Sequence, residues 1–368
     1  MNGRMLWTAL LASIIAFCTA AVSAATAEET AASLYEAAKP EGSVAVYGPP
    51  GQSSRRAFSE AFQKAYPDIR VSFEGAFGPA HLTKILAAHN AGRNIADVFI
   101  NGPEPAMALI RAGLLQKIEP AIVLPHIKDA DKWWLGKLDF IDRERKFIVA
   151  FWAFPSEPFY YNADAIKETE IRSWRDLLNP KYRGKIGMYD PTIAGPALPK
   201  VNHFLHDKAL GETFVRALLG PDSGLFVTRD DRQLVEAVAR GTYWIGIGGS
   251  WQTAAPIARA IPALKVFPAE RLAEGTQFTS GTGNLGLMKN PPHPNAAKLY
   301  VNWLLSRDGQ TAITTAVGQQ SGRTDVPDDH VASQIRRGPK AKGFVEYHED
   351  ILAGRARARE LAKQLLGR

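Results

Sequence analysis

Apolar positions along the chain switch repeatedly between a period of two and a helical period. Residues 43–47 alternate as a half-buried strand does, then open into Gly48-Pro49-Pro50-Gly51-Gln52-Ser53-Ser54. Phe58, Ala61, Phe62, Ala65 and Tyr66 follow at helical spacing, and Ser53 or Ser54 is placed to cap that helix. Pro67-Asp68 ends it. Ile69, Val71 and Phe73 alternate in the next strand, and loop 74–78 leads into a helix carrying Leu82, Ile85, Leu86 and His89. Residues 96–100, ADVFI, form the nearly continuous apolar run of a strand covered on both faces. They pass through Asn101-Gly102 into a helix with Met107 and Ile110. Strand, loop and helix in succession predict a parallel α/β sheet whose loops gather at its carboxyl edge, where such folds bind ligands.

A second series starts near residue 174. WRDLL predicts a helical turn broken at Asn179-Pro180, and residues 185–188 predict a strand that empties into Asp190-Pro191-Thr192-Ile193-Ala194-Gly195-Pro196. Leu198, Val201, Leu205 and Leu210 place a helix directly afterwards, so this loop ends at a helix N-terminus whose free N–H groups suit an anion. Residues 224–228 predict a strand followed by Arg229 and a helix with Leu234, Val235 and Val238. Residues 243–247 predict another strand, entering a helix through Gly248-Gly249-Ser250-Trp251-Gln252. Residues 264–267 and 283–288 read as strands returning the chain to the first half, 294–306 as an amphipathic helix, and 344–366 as a final basic helix.

Length and composition fit this picture. The 368 residues suffice for two cores, and 46% apolar with 22% charged residues is ordinary for a globular chain. The N-terminus differs. Arg4 precedes an apolar run over residues 5–18, followed by small residues at Val22-Ser23-Ala24 and Ala25-Thr26-Ala27. That is the pattern of a cleaved secretory signal over residues 1–24, too short to span a bilayer. The one cysteine, Cys18, lies within it with Phe17 before it, which excludes a lipoprotein signal and leaves a mature chain without thiols. The net charge of +7 resides largely in runs at 143–146, 336–342 and 355–363, read as solvated surface. Export makes nucleic acid an unsuitable partner.

Motifs of other chemistries do not hold. Gly281-Thr282-Gly283-Asn284-Leu285-Gly286 opens a strand rather than a helix, so it is not a dinucleotide fingerprint. The stretch around Ser250 has Gln252 where a nucleophile elbow needs glycine, leaving a secreted serine hydrolase as an alternative class. His203 and His206 share a helix face without a third ligand and read as a polar face. No cofactor and no metal site is expected.

Several segments together resemble the extracellular solute-binding proteins of bacterial ABC importers, within the ferric-ion-binding-like cluster. They are Leu34 to Ala38 with Glu41 to Tyr47, FQKAYPDIRV over 62–71, Ile95-Ala96-Asp97-Val98 before Ala112-Gly113-Leu114-Leu115, residues 174–191, and HPNAAKLYVNWLLSRDGQ over 293–310. The resemblance implies a two-lobed periplasmic-binding-protein fold of type II. Each lobe is a mostly parallel sheet flanked by helices, with the ligand cleft between lobes. It assigns residues 28–155 plus 268–320 to lobe 1, 156–267 to lobe 2, and 321–368 to a C-terminal helical segment packed on the lobes. The first crossing would be FWAFPSEPFYYN, the second residues 269–283, with Tyr160-Tyr161 as hinge residues.

Ferric-binding members carry an adjacent tyrosine pair in the second lobe. This chain has Gly249-Ser250-Trp251-Gln252 there and no histidine in its first loop, so ferric ion is the alternative ligand rather than the expected one. The predicted ligand-edge residues are Tyr47, Ser53, Ser54, Phe77, Asn101, Trp152, Thr192, Gly195, Arg229, Ser250 and Trp251. Their hydroxyls, amides, aromatic faces and single guanidinium suit an anionic organic solute such as a phosphorylated sugar, a phosphonate or a carboxylate. The expectation is a monomeric periplasmic protein that catalyses no reaction, closes on this solute by a hinge motion and delivers it to a membrane permease.

Overall fold

The computed structural model describes residues 29–193, 195–338 and 341–368. The proposed signal, with Arg4 and Cys18, lies outside these residues. Among the described residues no helix is long and apolar enough to cross a membrane.

Two sheets organise the chain. In the first, strands Arg70–Gly75, Ser43–Gly48 and Val98–Asn101 run parallel. Asn284–Met288 pairs antiparallel beside them, and Ile148–Ala150 and Asp139–Phe140 continue the sheet. Val46 stands opposite Phe73 and Val98, which directs Val44, Val46 and Val98 into a core with Phe58 and Phe62. Tyr300 closes this core from helix Pro294–Leu305, its ring 4.9 Å from Phe62 and its hydroxyl donating to the Phe58 carbonyl. Burying each such side chain contributes about 1.5–3 kcal/mol.

The second sheet repeats the plan. Strands Phe226–Thr228, Ile186–Tyr189 and Ile245–Ile247 are parallel, and Phe159–Asn162 and Leu264–Val266 are antiparallel additions. Residues Trp174–Leu178 form a 3-10 turn, closed by reciprocal bonds between Ser173 and Asp176. The turn anchors the second core, since the Trp174 ring lies 4.7 Å from Phe204 and 5.3 Å from Phe159. A third, small sheet joins the halves: Phe154–Pro155, Thr276–Thr279 and Gly343–Val345.

Several expectations change. Tyr160 and Tyr161 lie inside the second sheet rather than at a hinge, because their strand pairs with residues on both sides. Residues 264–266 form an edge of that sheet rather than returning the chain, while the return crossing Thr276–Thr279 falls within the expected residues 269–283. The cap of helix Gln52–Ala65 is Gly51, whose φ of 103° suits glycine, so Ser53 and Ser54 fall in the first turn. The expected last helix divides into the strand Gly343–Val345, the short helix Glu349–Leu352 and the helix Arg355–Leu366. Two arginines read as surface are buried: Arg337, bonded to the Ala153 and Ser321 carbonyls, and Arg355. His203 is buried too and stacks 4.4 Å from Phe344; burial pulls its pKa down to about 4.

The C-terminal segment belongs to both cores. Tyr347 and Leu352 join a first-lobe cluster, whereas Ala358, Leu361 and Ala362 join that of the second lobe. Tyr347 and His348 bond to Asp139 on the first side. Arg357 pairs with Glu212 on the second.

Candidate functional site

The carboxyl ends of the two sheets face a cleft of about 490 Å³. Gly102 and Trp152 line it from the first lobe, Gly195, Lys200 and Trp251 from the second, and Gln319, Glu346 and Arg355 from the last part of the chain. Another hollow, of about 540 Å³, lies against the crossing strands and the chain near Arg336. It is framed by the connection between lobes rather than by strand-to-helix loops, and the site is built from the former cleft.

The loop after strand Ile186–Tyr189 is closed on itself. Asp190 is fully buried and accepts from the Thr192 amide at 2.9 Å and the Thr192 hydroxyl at 2.6 Å. Its other oxygen accepts from Arg229 Nε at 2.9 Å and pairs with Arg368. Burial works against its ionisation, but the bonds from Thr192 and Arg229 outweigh it and hold the carboxyl below its ordinary value. Thr192 and Arg229 are therefore committed to Asp190. Gly195 does line the cleft, and a Cβ there would collide with the Tyr189 ring.

The Ser250 loop is similarly occupied. Ser250 caps helix Trp251–Ala260, donates its hydroxyl to Asp231 at 2.6 Å and takes the same carboxylate on its amide. The free amide of Trp251 is taken by Glu157 at 3.0 Å. An internal carboxylate thus sits where this helix start would hold an anion, and burial raises its pKa above the ordinary value.

In the first lobe, Asn101 is buried, donating to the Ala76 carbonyl at 3.1 Å and accepting from the Gly102 amide at 3.0 Å. It shapes the turn that brings Gly102 to the cleft. Tyr47 is a core residue with its ring 5.0 Å from His81. Ser53 is exposed and Ser54 half-buried on their helix, and neither lines the cleft. Phe77 is 71% exposed at the start of helix Gly78–Asn90, beside the Asn101 turn. Trp152 lines the cleft, and its indole N–H has no partner among the described residues. Of the predicted residues, the structure brings Trp152, Gly195, Ser250 and Trp251 together at the cleft.

Sequence reasoning missed Lys200, Glu157, Gln319, Glu346 and Arg355. Lys200 is 2% exposed, and its ammonium bonds only to Ser156, at 2.8 Å to the hydroxyl and 3.4 Å to the carbonyl. No carboxylate lies within ion-pair distance of it among the described residues. Burial lowers its pKa to about 8, with Glu346 and Glu157 opposing from farther away. A signal did exist: Lys200 shares a helix face with Ala197, Val201 and Phe204, all fully buried.

Residues 57–342 match the family described as bacterial extracellular solute-binding protein. An uncharacterised protein of Haemophilus influenzae is 26% identical over 274 residues, covering 68% of this chain and 69% of that protein. The fold is similar to that of the Trichodesmium protein FutA in complex with iron and citrate, with a TM-score of 0.67, 18% identity, and 88% and 99% of the two chains covered. Iron-bound HitA from Pseudomonas aeruginosa gives 0.64 at 19% identity, over 88% and 99% of the chains. The periplasmic binding protein AfuA from Actinobacillus pleuropneumoniae, with fructose-6-phosphate bound, gives 0.61 at 22% identity, over 89% and 99%. These likenesses establish the two-lobed fold, and with most of its length matched, the chain belongs to the bacterial extracellular solute-binding protein family.

Proposed function

We propose that the chain is the periplasmic solute-binding component of an ABC importer and that its solute is a small organic anion: a phosphorylated sugar, a phosphonate or a carboxylate. The observation that carries this reading is Lys200, a buried ammonium at the cleft with hydroxyl and carbonyl partners but no carboxylate in contact. An isolated buried charge is costly, and a solute anion entering the cleft would offset that cost. The carboxylates at the cleft are already engaged, Glu157 by the Trp251 amide and Glu346 by the Gln277 side chain at 2.7 Å. They leave little for a cationic solute. Ferric ion prefers hard anionic oxygens, and the residues lining the cleft include no tyrosine or histidine.

In this reading the protein acts as a monomer and catalyses no reaction. Contacts from the solute to both lobes favour a closed form, with bending in the small sheet that joins them, and the closed form docks on the membrane permease. Phe77 would be covered at the rim on closure. A thermal-shift screen with hexose phosphates, phosphonates, carboxylates, polyamines and ferric ion tests the assignment. An anion at 100 times its Kd adds about 2.7 kcal/mol of stability. A response to polyamines or iron with none to anions would overturn it.

A further inference from the structure

The C-terminal segment supplies cleft-lining residues as well as core. Arg355 begins helix Arg355–Leu366 and lines the cleft with its side chain only 8% exposed. Its guanidinium is incompletely used. Nη2 lies 3.3 Å from Glu346 and Nη1 3.5 Å from Glu104, both longer than the ~2.7–2.9 Å of a charge-assisted hydrogen bond. Its Nε is buried with no partner among the described residues. A planar fork with a free donor is suited to a phosphate or carboxylate.

Arg355 and Lys200 line the same cleft, and two features link them. Gly354 lets the C-terminal helix approach the Lys200 helix, since a Cβ at 354 would collide with Asn202 Oδ1 and the His206 ring. Glu346 acts on both cations, at 3.3 Å from Arg355 and electrostatically on Lys200. Gln319, whose Oε1 also lacks a partner among the described residues, lines the same wall.

We propose that Arg355 is a second solute-binding cation, delivered by the C-terminal segment, and that its guanidinium takes the anionic group together with the Lys200 ammonium. This rests on the anionic-solute reading above. Glu104, on the opposite lobe, gains or loses Arg355 as the cleft opens and closes. The binding site is complete only with the C-terminal helix docked.

The test is isothermal titration of the full chain with glucose 6-phosphate, fructose 6-phosphate, 2-aminoethylphosphonate and citrate. The tightest of these is then titrated into Arg355→Gln, Arg355→Lys and Arg357→Gln. Arg357 lies on the same helix but is exposed, so its variant reports on helix effects alone. The expected losses are about 30-fold or more for Arg355→Gln, partial recovery in Arg355→Lys, and no change in Arg357→Gln. Melting temperature is recorded for each, and if Arg355→Gln fails to fold, Arg355→Lys carries the comparison with a loss of about tenfold. Wild-type affinity in a folded Arg355→Gln, or in Arg355→Lys where that variant carries the comparison, overturns the role of Arg355 and leaves Lys200 standing. A wild-type protein that binds none of the four overturns the anionic reading and this proposal together.

Discussion

Two charged groups ten residues apart in the second lobe have opposite surroundings. Asp190 is buried and saturated: the Thr192 amide and hydroxyl, Arg229 and Arg368 surround it. Lys200 is equally buried, yet among the described residues its ammonium hydrogen-bonds only to Ser156. A buried charge with its full set of partners holds structure together, whereas one left short is costly until something arrives. The comparison sets a loop that satisfies its own charge beside a charge with room for a further partner, and the proposed function rests on that difference. The Asp190 loop carries residues predicted to hold the anion, and of these Gly195 lines the cleft while Thr192 bonds to Asp190.

The largest expected effect comes from Lys200→Met. Anion affinity should fall about 100-fold or more, as when one member of a buried charge pair is removed. The unliganded protein should meanwhile become more stable, by about 3 kcal/mol at pH 7, because the Lys200 pKa of about 8 marks how much burial disfavours the charge. Denaturant melts and titration calorimetry read the two effects, and a variant that loses stability would show Lys200 to be compensated after all. Asp190→Ala should do the reverse. It strands the Thr192 and arginine donors, costs about 2–3 kcal/mol of stability and leaves anion affinity within about threefold.

The pH dependence sharpens the contrast further. Folding lowers the Lys200 pKa, so between its folded value of about 8 and its ordinary 10.5 the unfolded chain holds more protons. Stability should therefore rise with pH across that window, by up to about 1.4 kcal/mol per unit. Glu346 and Glu157, the acidic groups acting on Lys200, are present in both proteins, so the difference between wild type and Lys200→Met isolates this residue. Smallest of all is Arg229→Gln. The Arg229 side chain is 63% exposed, so the loss should be under about 1 kcal/mol with no change in anion affinity. A large affinity loss there would restore the Asp190 loop as the anion site.

The fold was legible where one local pattern decided it. The alternation through Val44 and Val46, and the helical spacing of Phe58 and Phe62, report burial on one face, and the structure buries those residues. The two crossings fall within the expected FWAFPSEPFYYN and residues 269–283, but Gly343–Val345 was less legible because so short a strand owes its form to its partner Thr276–Thr279. The site was legible in part: Trp152, Gly195 and Trp251 follow from strand and loop ends. A sequence does not reveal that Asp190 engages Thr192 and the Arg229 Nε, or that Asp231 engages Ser250. Arg355 looked like surface because it sits in a basic run with the exposed Arg357, although Ala358 and Leu361 mark the buried face it shares.

The central claim, that the Lys200 ammonium holds the solute's anion, is tested most directly by proton uptake on binding. Titration calorimetry at pH 8.5 in two buffers of different ionisation enthalpy measures it, using an anion already fully ionised at that pH. With its free-state pKa pulled down to about 8, a sizeable fraction of Lys200 is neutral there and must gain a proton to pair with the anion. The account predicts proton uptake in the wild type and none in any residual binding by Lys200→Met. Tight anion binding whose heat is the same in both buffers would contradict it.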